Sequence, residues 1–149
     1  MNQSPTKLSY KDDVKVFEVN WIQFQELEDD RGGLVSIEIG NQKEIPFDVK
    51  RLYYIYQTEL GVSRGYHAHK ELKQVAFVVS GRCEMVLDNG NERRKVSLDS
   101  PTKGILIENF VWREIHNFSD DCVLLVLASE HYDEADYIRD YEDFLRMIK

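Results

Sequence analysis

GVSRGYHAHKELKQVAFVVSG, residues 61–81, is the stretch that the other segments of the chain are predicted to position. An Arg-Gly turn precedes its two histidines and an apolar, strand-like run follows them. In an extended strand, the side chains at i and i+2 project to the same face. His67 and His69 are therefore expected to share one space, with Tyr66 and Ala68 on the other side. Two groups that titrate near neutral pH in one cavity indicate a metal site or an acid–base site.

Short strand patterns continue on both sides of this stretch. The Asn-Gly pair at residues 89–90 separates two such runs and is the strongest hairpin signal in the sequence. Residues 21–28 mix aromatic and acidic side chains and fit either a helical turn or a loop. Many short strands at close spacing predict an all-β barrel or jelly roll. The predicted strands are residues 14–19, 34–39, 50–56, 75–79, 83–87, 94–98, 104–107, 111–117 and 122–129.

The last segment of the chain changes to a helical period. Ile138, Tyr141 and Leu145 recur on one helical face, which predicts a helix over residues 134–148. Asp133 is a suitable N-cap for it, because its side chain can accept from the first free backbone N–H groups. We therefore expect one C-terminal helix that docks on the barrel.

Length and composition describe a globular chain of one domain. Its 149 residues are 42% hydrophobic and 31% charged and contain no linker or repeat, so a single domain over residues 1–149 is predicted. Residues 1–12 are polar and expected to be loose. The net charge of −8 argues against a nucleic-acid partner, because phosphate binding needs a basic face.

Cysteine usage and hydropathy indicate a cytoplasmic protein. Cys83 and Cys122 lie inside apolar or alternating runs, as buried free thiols usually do. The N-terminus has no apolar signal core, and the longest apolar run, residues 122–128, is too short to span a bilayer. A cytoplasmic location without a membrane partner is therefore expected.

The pattern GxxxxxHxHxxxxQxxxxxxG at residues 61–81 resembles the first cupin motif, except that Gln74 stands where glutamate is usual. In VWREIHN, Arg113 and Asn117 reproduce the His-x3-Asn spacing of the second motif, with arginine in place of histidine. Cupin metal sites draw three histidines and a glutamate from these positions. Arginine has no lone pair to give and a neutral amide is a weak ligand, so no metal is expected. A metal-dependent cupin enzyme stays as an alternative.

A cavity with two histidines, an arginine and no metal suits the enolisation of a ketone. A base removes the proton beside the carbonyl while a hydrogen-bond donor stabilises the developing oxyanion. An ordinary imidazole, with a pKa near ~6.5, is matched to this work at neutral pH. The residues alone therefore favour proton-transfer chemistry on a carbonyl compound.

Similarity to one group of enzymes extends well beyond the cupin motifs. Segments across residues 29–144 resemble, in order and at similar spacing, the sugar 3,4-ketoisomerases of the WxcM-like or FdtA-like group within the cupin superfamily. RGYHAHK followed by KQV, and YDEADYIR near the C-terminus, are specific to that group among cupins. The other similar segments are DDRGGLVSIE, KRLYYIY, the LDNG hairpin, LDSPTKGI and VWREIHNFSDDCVLLVLAS.

The resemblance implies a cupin-type jelly-roll barrel with a C-terminal helix. It also implies a 3,4-ketoisomerase that converts dTDP-4-keto-6-deoxy-D-glucose to a dTDP-3-keto-6-deoxyhexose, without metal or other cofactor, in the biosynthesis of 3-amino-3,6-dideoxy sugars. A histidine would move a proton from C3 to C4 through an enediol. A homodimer with exchanged N-terminal strands is implied as well. A non-catalytic module that binds a nucleotide sugar is the second alternative.

The same resemblance assigns roles within the predicted site. His69 is expected to be the principal base and His67 the second acid–base or orienting group, although alternation alone does not rank them. Members of the group often have histidine where Arg113 stands, so the sequence leaves the C4 configuration of the product open between galacto and gluco. His116 has opposite parity to Arg113 on the predicted strand and is left out of the catalytic set.

Charged, aromatic and amide side chains supply the candidates for substrate binding. Arg64 and Arg31 lie in turns and are candidates for the diphosphate, which needs charge-assisted donors. Trp112 shares the parity of His116 and would line a neighbouring or subunit-shared face. The full set of predicted substrate-binding residues is Arg64, Arg113, Tyr53, Gln74, Arg31, Lys50, Arg51 and Trp112.

Overall fold

The structure is a computed structural model that describes residues 17–149. Its strands are β1 (Asn20–Gln23), β2 (Glu26–Asp29), β3 (Gly32–Val35), β4 (Arg51–Tyr56), β5 (Arg64–His69), β6 (Gln74–Ser80), β7 (Cys83–Asp88), β8 (Arg93–Leu98), β9 (Lys103–Ile107), β10 (Trp112–His116), β11 (Val123–Ala128) and β12 (Tyr137–Ile138), and its helix is α1 (Tyr141–Met147). One five-stranded sheet has the order β1-β9-β6-β11-β4 and the other β12-β5-β10-β7-β8, while β2 and β3 form a separate pair. All strand pairs are antiparallel. This is the all-β jelly-roll barrel with a C-terminal helix that the sequence predicts.

Strand β6 is buried on both of its faces, which explains its nearly continuous apolar run. Ala76 and Val78 join the core between the two sheets. Val75 and Phe77 face the opposite way, into a second cluster that contains Phe24. From Gln74 to Val78 the strand is covered on both sides and is a rigid support, whereas Val79 and Ser80 at its end are exposed. The side chains that β6 contributes to the cavity described below are therefore held firmly.

A bulge on β5 sets the direction of the side chains at its start. His67 faces Arg113 on β10, and the register shifts beside this pair, which leaves Tyr66 as the extra residue. Gly65 has a φ of +89°, and an added Cβ would lie 2.9 Å from the carbonyl oxygen of Arg113. Only glycine fits such a close approach with positive φ. Because the extra residue reverses the alternation, Arg64 faces the same cavity as His67.

Four predicted segments near the N-terminus differ from the structure or lie outside the described residues. Residues 21–28, which fit a turn or a loop in the sequence, contain most of β1 and β2. The strand predicted at residues 34–39 ends at Val35. The strand predicted at residues 14–19 falls mostly outside the described residues, as does the segment 1–12. The sequence pattern misses β1 because the strand forms by pairing with β9, which is distant along the chain.

The helix predicted over residues 134–148 is wrong in its first half. Asp133 caps only a short 3₁₀ turn, Glu134–Asp136, and α1 starts after its own N-cap, Asp140. Between them β12 pairs with the edge of β5, and its Ile138 lies opposite Ala68. Pairing with an open sheet edge satisfies backbone groups that a helix would otherwise satisfy internally. No helix within residues 17–149 has the length and apolar character needed to cross a membrane.

Candidate active site

A cavity of about 340 Å³ lies between the two sheets and is lined by residues from both of them. Apolar core side chains form its floor, and convergent polar groups form its walls, which is the usual composition of a small-molecule site. Its arginines come from four separate places in the sequence: Arg51, Arg64, Arg113 and Arg139. A concentration of positive charge in a chain of net charge −8 indicates an anionic ligand.

His67 and His69 lie side by side on the inner face of β5. Their ring centroids are 4.9 Å apart and their planes are nearly perpendicular, at 86°. Tyr66 is exposed and Ala68 is buried beneath α1, both on the other face, so the alternation predicted from the sequence holds. The two histidines differ in access, however, because His67 lines the cavity whereas His69 is 0% exposed.

His67 is held in the form of a neutral base. Its Nδ1 lies 3.1 Å from the carbonyl oxygen of Gly65. A carbonyl oxygen only accepts hydrogen bonds, so Nδ1 carries the proton and Nε2 keeps its lone pair. Burial, followed by the positive charge of Arg113, lowers the pKa of His67 to about 4. At neutral pH the ring is therefore uncharged and able to take a proton.

His69 has a different environment from the one expected of a principal base. Its Nδ1 lies 3.0 Å from Oδ2 of Asp136, and its Nε2 is buried with no hydrogen-bond partner among residues 17–149. Burial and then the positive charge of Arg113 lower the pKa of His69 to about 2. A base must reach its substrate, so the geometry favours His67 over His69 as the principal base. Alternation cannot detect this difference, because both rings lie on one face.

A chain of hydrogen bonds fixes the polarity of one wall. Arg113, only 2% exposed, donates to Oε1 of Gln74 and, at 2.9 Å, to the carbonyl oxygen of Val111. Nε2 of Gln74 donates to the Tyr53 hydroxyl oxygen at 3.0 Å. Because that oxygen accepts this bond, its own hydrogen is available for a ligand. Burial raises the pKa of Tyr53, so the hydroxyl stays protonated. Three predicted binding residues thus meet at one site.

Arginines outside this chain of hydrogen bonds form the basic part of the cavity. Nε and Nη2 of Arg51 are buried and have no hydrogen-bond partner in the described part of the chain. Buried donors of this kind are normally satisfied, so they indicate a place for an acceptor-rich ligand. Arg64 enters the cavity through the β5 bulge, and Arg139 is held by Glu134, with Nε 2.6 Å from Oε1.

Three site residues were missed by the sequence reasoning, which assigned the acidic segment around residues 130–143 to a solvated helix face. Strand β12 instead carries this segment to the edge of the site. Tyr137 pairs with His69 in register, and their ring centroids are 4.4 Å apart. Asp136 bonds His69, and Arg139 lines the cavity. The signal that could have found them is the group-specific YDEADYIR segment, which contains all three.

Three predicted substrate-binding residues lie away from the cavity. Trp112 points to the other face of β10, as its parity requires, and is buried at 4% exposure beneath α1. Arg31 lies in the turn between β2 and β3, where it pairs with Asp29. Lys50 pairs with Glu130 at 3.0 Å. It lies just before β4, whose side chains face the cavity only from Arg51 onwards. In the single chain, none of the three reaches a ligand in this cavity.

His116 faces away from the cavity, as its parity predicts. Its Nδ1 lies 2.7 Å from Ser63 Oγ, its Nε2 lies 3.0 Å from Glu114 Oε1, and its ring packs edge-on against Tyr66. Within residues 17–149, no group of three or more His, Cys, Asp or Glu side chains is placed to hold a metal ion. Arg113 and Gln74, which are bonded to each other, occupy the two positions where a cupin metal site needs further ligands.

The chain is similar over most of its length to one protein family and to individual sugar isomerases. The family model for WxcM-like, C-terminal proteins (FdtA) matches residues 17–149. A TDP-4-oxo-6-deoxy-alpha-D-glucose-3,4-oxoisomerase from Aneurinibacillus thermoaerophilus is 49% identical over 127 residues, covering 85% of this chain and 90% of that protein. A 3,4-ketoisomerase from Helicobacter canadensis is 46% identical with a TM-score of 0.84, covering 89% of this chain and 98% of that one.

A third relative was solved with a nucleotide sugar bound. It is a histidine-to-asparagine mutant of the 3,4-ketoisomerase QdtA from Thermoanaerobacterium thermosaccharolyticum, in complex with TDP-4-keto-6-deoxyglucose. It is 41% identical with a TM-score of 0.85, covering 89% of this chain and 95% of that one. From the family match and the extent of these similarities, the chain belongs to the WxcM-like, C-terminal (FdtA) family.

Proposed function

We propose that this protein is a 3,4-ketoisomerase that converts dTDP-4-keto-6-deoxy-D-glucose to a dTDP-3-keto-6-deoxyhexose. The observation that carries the proposal is the neutral His67 ring, held by Gly65 on the wall of a cavity that also contains the Tyr53 hydroxyl. The choice of substrate rests on relatives named as 3,4-ketoisomerases, one of which binds TDP-4-keto-6-deoxyglucose. The acid–base chemistry rests on the cavity itself.

The proposed reaction is an internal exchange of hydrogens between neighbouring atoms. A base takes the C3 proton, the C–H electron pair forms the C3=C4 double bond, and the C4 carbonyl oxygen takes a proton. The resulting enediol then collapses in the other direction. The C3 hydroxyl gives up its proton and becomes the carbonyl, while C4 receives the proton from the base. Atoms and electrons balance within the sugar, so the reaction needs neither an oxidant nor a reductant.

His67 is the proposed base for the transfer between C3 and C4. It lines the cavity, its Nδ1–H is tied to a backbone carbonyl, and its Nε2 is unprotonated at neutral pH. A positioned general base of this kind contributes ~10²–10⁴-fold to the rate. Positive charge from Arg113 keeps the ring neutral before the reaction, and it also favours return of the proton to carbon afterwards.

Tyr53 is the proposed donor to the oxygen on which negative charge develops. Its hydroxyl oxygen accepts from Gln74, whose own oxygen accepts from Arg113, so the chain of donors ends with the Tyr53 hydrogen directed at the ligand. The polarity would reverse if Gln74 were replaced by the glutamate usual in cupins, because a carboxylate would accept the Tyr53 hydrogen. A preorganised donor to an oxyanion is worth ~10²–10³-fold in rate.

The arginines are proposed to hold the diphosphate. Arg51 presents two buried guanidinium nitrogens without partners, and a phosphate oxygen would satisfy them. Arg64 and Arg139 line the same cavity and add charge for the second phosphate. Such charge-assisted bonds fix the nucleotide end of the substrate, so that the sugar ring is carried towards His67.

Proton NMR of dTDP-4-keto-6-deoxyglucose with the protein in D₂O tests the proposal directly. We expect loss of the C3 proton signal and the appearance of a 3-keto product, whose spectrum also gives the configuration at C4. His67→Asn should abolish both changes while dTDP still binds, and His69→Asn should retain more of the rate. His131→Asn is the matched control, because His131 is exposed and lies outside the cavity.

Each alternative outcome has a definite meaning. Undiminished turnover by His67→Asn would refute the assignment of the base. Binding of dTDP-4-keto-6-deoxyglucose by the wild type without exchange at C3 would refute the enzymatic function and identify a non-catalytic binding module.

We also propose that the protein is a homodimer. Among the strands of residues 17–149, β4 forms an edge of its sheet, and its outward side chains Leu52, Tyr54 and Tyr56 are 51%, 58% and 57% exposed. Beside them, apolar side chains line a groove of about 580 Å³ on the outer face of the same sheet. A second copy suits this surface, because two antiparallel edges related by a two-fold axis are self-complementary and cover each other.

Light scattering at micromolar concentration tests the dimer. We expect twice the chain mass for the wild type and the mass of one chain for Tyr54→Lys. Leu60→Lys is the control, since Leu60 is 92% exposed in a loop. A monomeric wild type would refute the proposal. Exchange of N-terminal strands stays a prediction, because β1 pairs here with β9 of the same chain and residues 1–16 lie outside the described part.

A cytoplasmic location is part of the same proposal. Cys83 and Cys122 are both free and buried, which is the usual state of cysteines in a reducing compartment. Fractionation of the producing cell with an antibody against the protein would place it in the soluble cytoplasmic fraction, and its recovery outside that fraction would contradict the proposal.

A further inference from the structure

The carboxylate of Asp136 connects three backbone and side-chain donors next to the candidate base. Oδ2 accepts from His69 Nδ1 at 3.0 Å and from the backbone N–H of Leu72 at 3.3 Å. Oδ1 accepts from the backbone N–H of Glu71 at 2.7 Å. The turn that follows β5 thus holds the Asp136 carboxylate in place, and the carboxylate holds the His69 ring.

This bond determines which nitrogen of His69 carries the proton. An ionised carboxylate only accepts, so the proton lies on Nδ1 and the lone pair on Nε2. That Nε2 is buried without a partner in the described part of the chain. A buried acceptor without a partner is unfavourable by ~1–3 kcal/mol, so the ring would turn or change tautomer if nothing held it. Asp136 is the group that holds it.

His69 lies where its state affects the neighbouring base. It packs edge-on against His67, with ring centroids 4.9 Å apart, and its other side contacts Tyr137 at 4.4 Å. It is fully buried and does not line the cavity, so it acts on the substrate only through what it touches. Besides the Asp136 carboxylate bonded to it, the charged groups around it are Arg113, Arg51 and Arg139, and these three oppose its protonation.

We propose that Asp136 is a positioning residue, which keeps His69 in the Nδ1–H form and thereby holds the His67 ring in its productive orientation. The part of this proposal that concerns His67 rests on the proposed ketoisomerase function. The part that concerns the tautomer of His69 stands on the geometry alone. Loss of the carboxylate would let the His69 ring rotate or change tautomer, and this ring packs edge-on against His67. In other enzymes, loss of a carboxylate that orients an imidazole has reduced kcat by up to ~10⁴-fold.

Asp136→Asn is the variant that tests this, and Asp133→Asn is its matched control. Asp133 caps the same 3₁₀ turn by accepting from the backbone N–H of Ala135, but it is not bonded to a histidine. For Asp136→Asn we expect kcat to fall on the order of 10²-fold with KM changed less than about twofold. For Asp133→Asn we expect kcat within about twofold of the wild type.

The tautomer is read separately, by two-bond ¹H–¹⁵N NMR of the histidine rings without substrate, with His69→Asn used to assign the signal. We expect a protonated Nδ1 at His69 in the wild type and a mixture of tautomers in Asp136→Asn. A protonated Nε2 in the wild type would overturn the proposal even if Asp136→Asn failed to fold. Equal losses of kcat in both aspartate variants would also overturn it, by showing that only the turn matters. An inactive wild type with the expected tautomer would refute the ketoisomerase function. It would still support the conclusion that Asp136 sets the tautomer of His69.

Discussion

Acidification should destabilise this protein through His67 in a way that a substitution can isolate. The ring is buried beside Arg113, which lowers its pKa in the folded state to about 4, whereas in the unfolded chain it returns to the ordinary 6.5. Below pH 6.5 the His67 ring therefore binds a proton in the unfolded state but not in the folded state. The stability conferred by a neutral His67 is complete above that pH and is lost as the pH falls towards 4.

The size of the effect follows from the two pKa values. Relative to neutral pH, titration of this one group lowers the free energy of unfolding by about 1 kcal/mol at pH 5.5 and by about 2 kcal/mol at pH 4.5. His67→Asn removes the titration and leaves every other ionisable group in place. The variant is therefore expected to lose about 2 kcal/mol less than the wild type between pH 7 and pH 4.5.

Urea unfolding followed by circular dichroism at pH 7, 5.5 and 4.5 measures the difference. His131→Asn removes an exposed histidine and should follow the wild type. The same neutral ring should keep kcat/KM level down to about pH 5, well below the ordinary titration of imidazole. Parallel loss of stability in wild type and His67→Asn would refute the reasoning, since the ring would then not be held neutral by burial.

The remaining predictions concern residues on and off the cavity wall. Arg51→Gln should raise KM for the nucleotide sugar on the order of 10-fold or more through loss of charge-assisted bonds, whereas Lys50→Gln, its neighbour outside the cavity, should change KM less than about twofold in steady-state assays. Trp112→Phe should lower the free energy of unfolding by about 1–3 kcal/mol and leave KM unchanged, because it removes the hydrogen bond from the indole N–H to Glu114, 3.0 Å long and beneath α1. A raised KM would instead indicate that Trp112 contacts the substrate. Gly65→Ala should lower the free energy of unfolding by about 1–3 kcal/mol in denaturant titrations and should reduce kcat. The added Cβ would clash with β10 at the bulge that orients His67. A variant as stable and as active as the wild type would contradict the need for glycine at this position.

Family similarity predicted from the sequence is confirmed by the family match over residues 17–149, and the predicted fold class agrees with the structure. The sequence predicts which side chains of β5 and β10 share a face, because in each strand one face lies towards the cavity and the other lies outside it. It placed both histidines together and set Trp112 on the face opposite Arg113, and the structure shows Arg113 at the cavity and Trp112 beneath α1. Alternation does not reveal how deeply each side chain is buried, and burial is what distinguishes the accessible His67 from the buried His69.

The sequence by itself determined strand β4, strands β6 to β11 and the residue types of the site, because these depend on local periodicity and on short motifs. Only the tertiary structure decided which side chains converge. The bulge at Tyr66 turns Arg64 inward, and the pairing of β12 with β5 brings Asp136 and Arg139 to the histidines from a segment that reads as a solvated helix. Both effects arise from contacts between strands far apart in the chain, and the energy of such contacts outweighs the local preference of either segment.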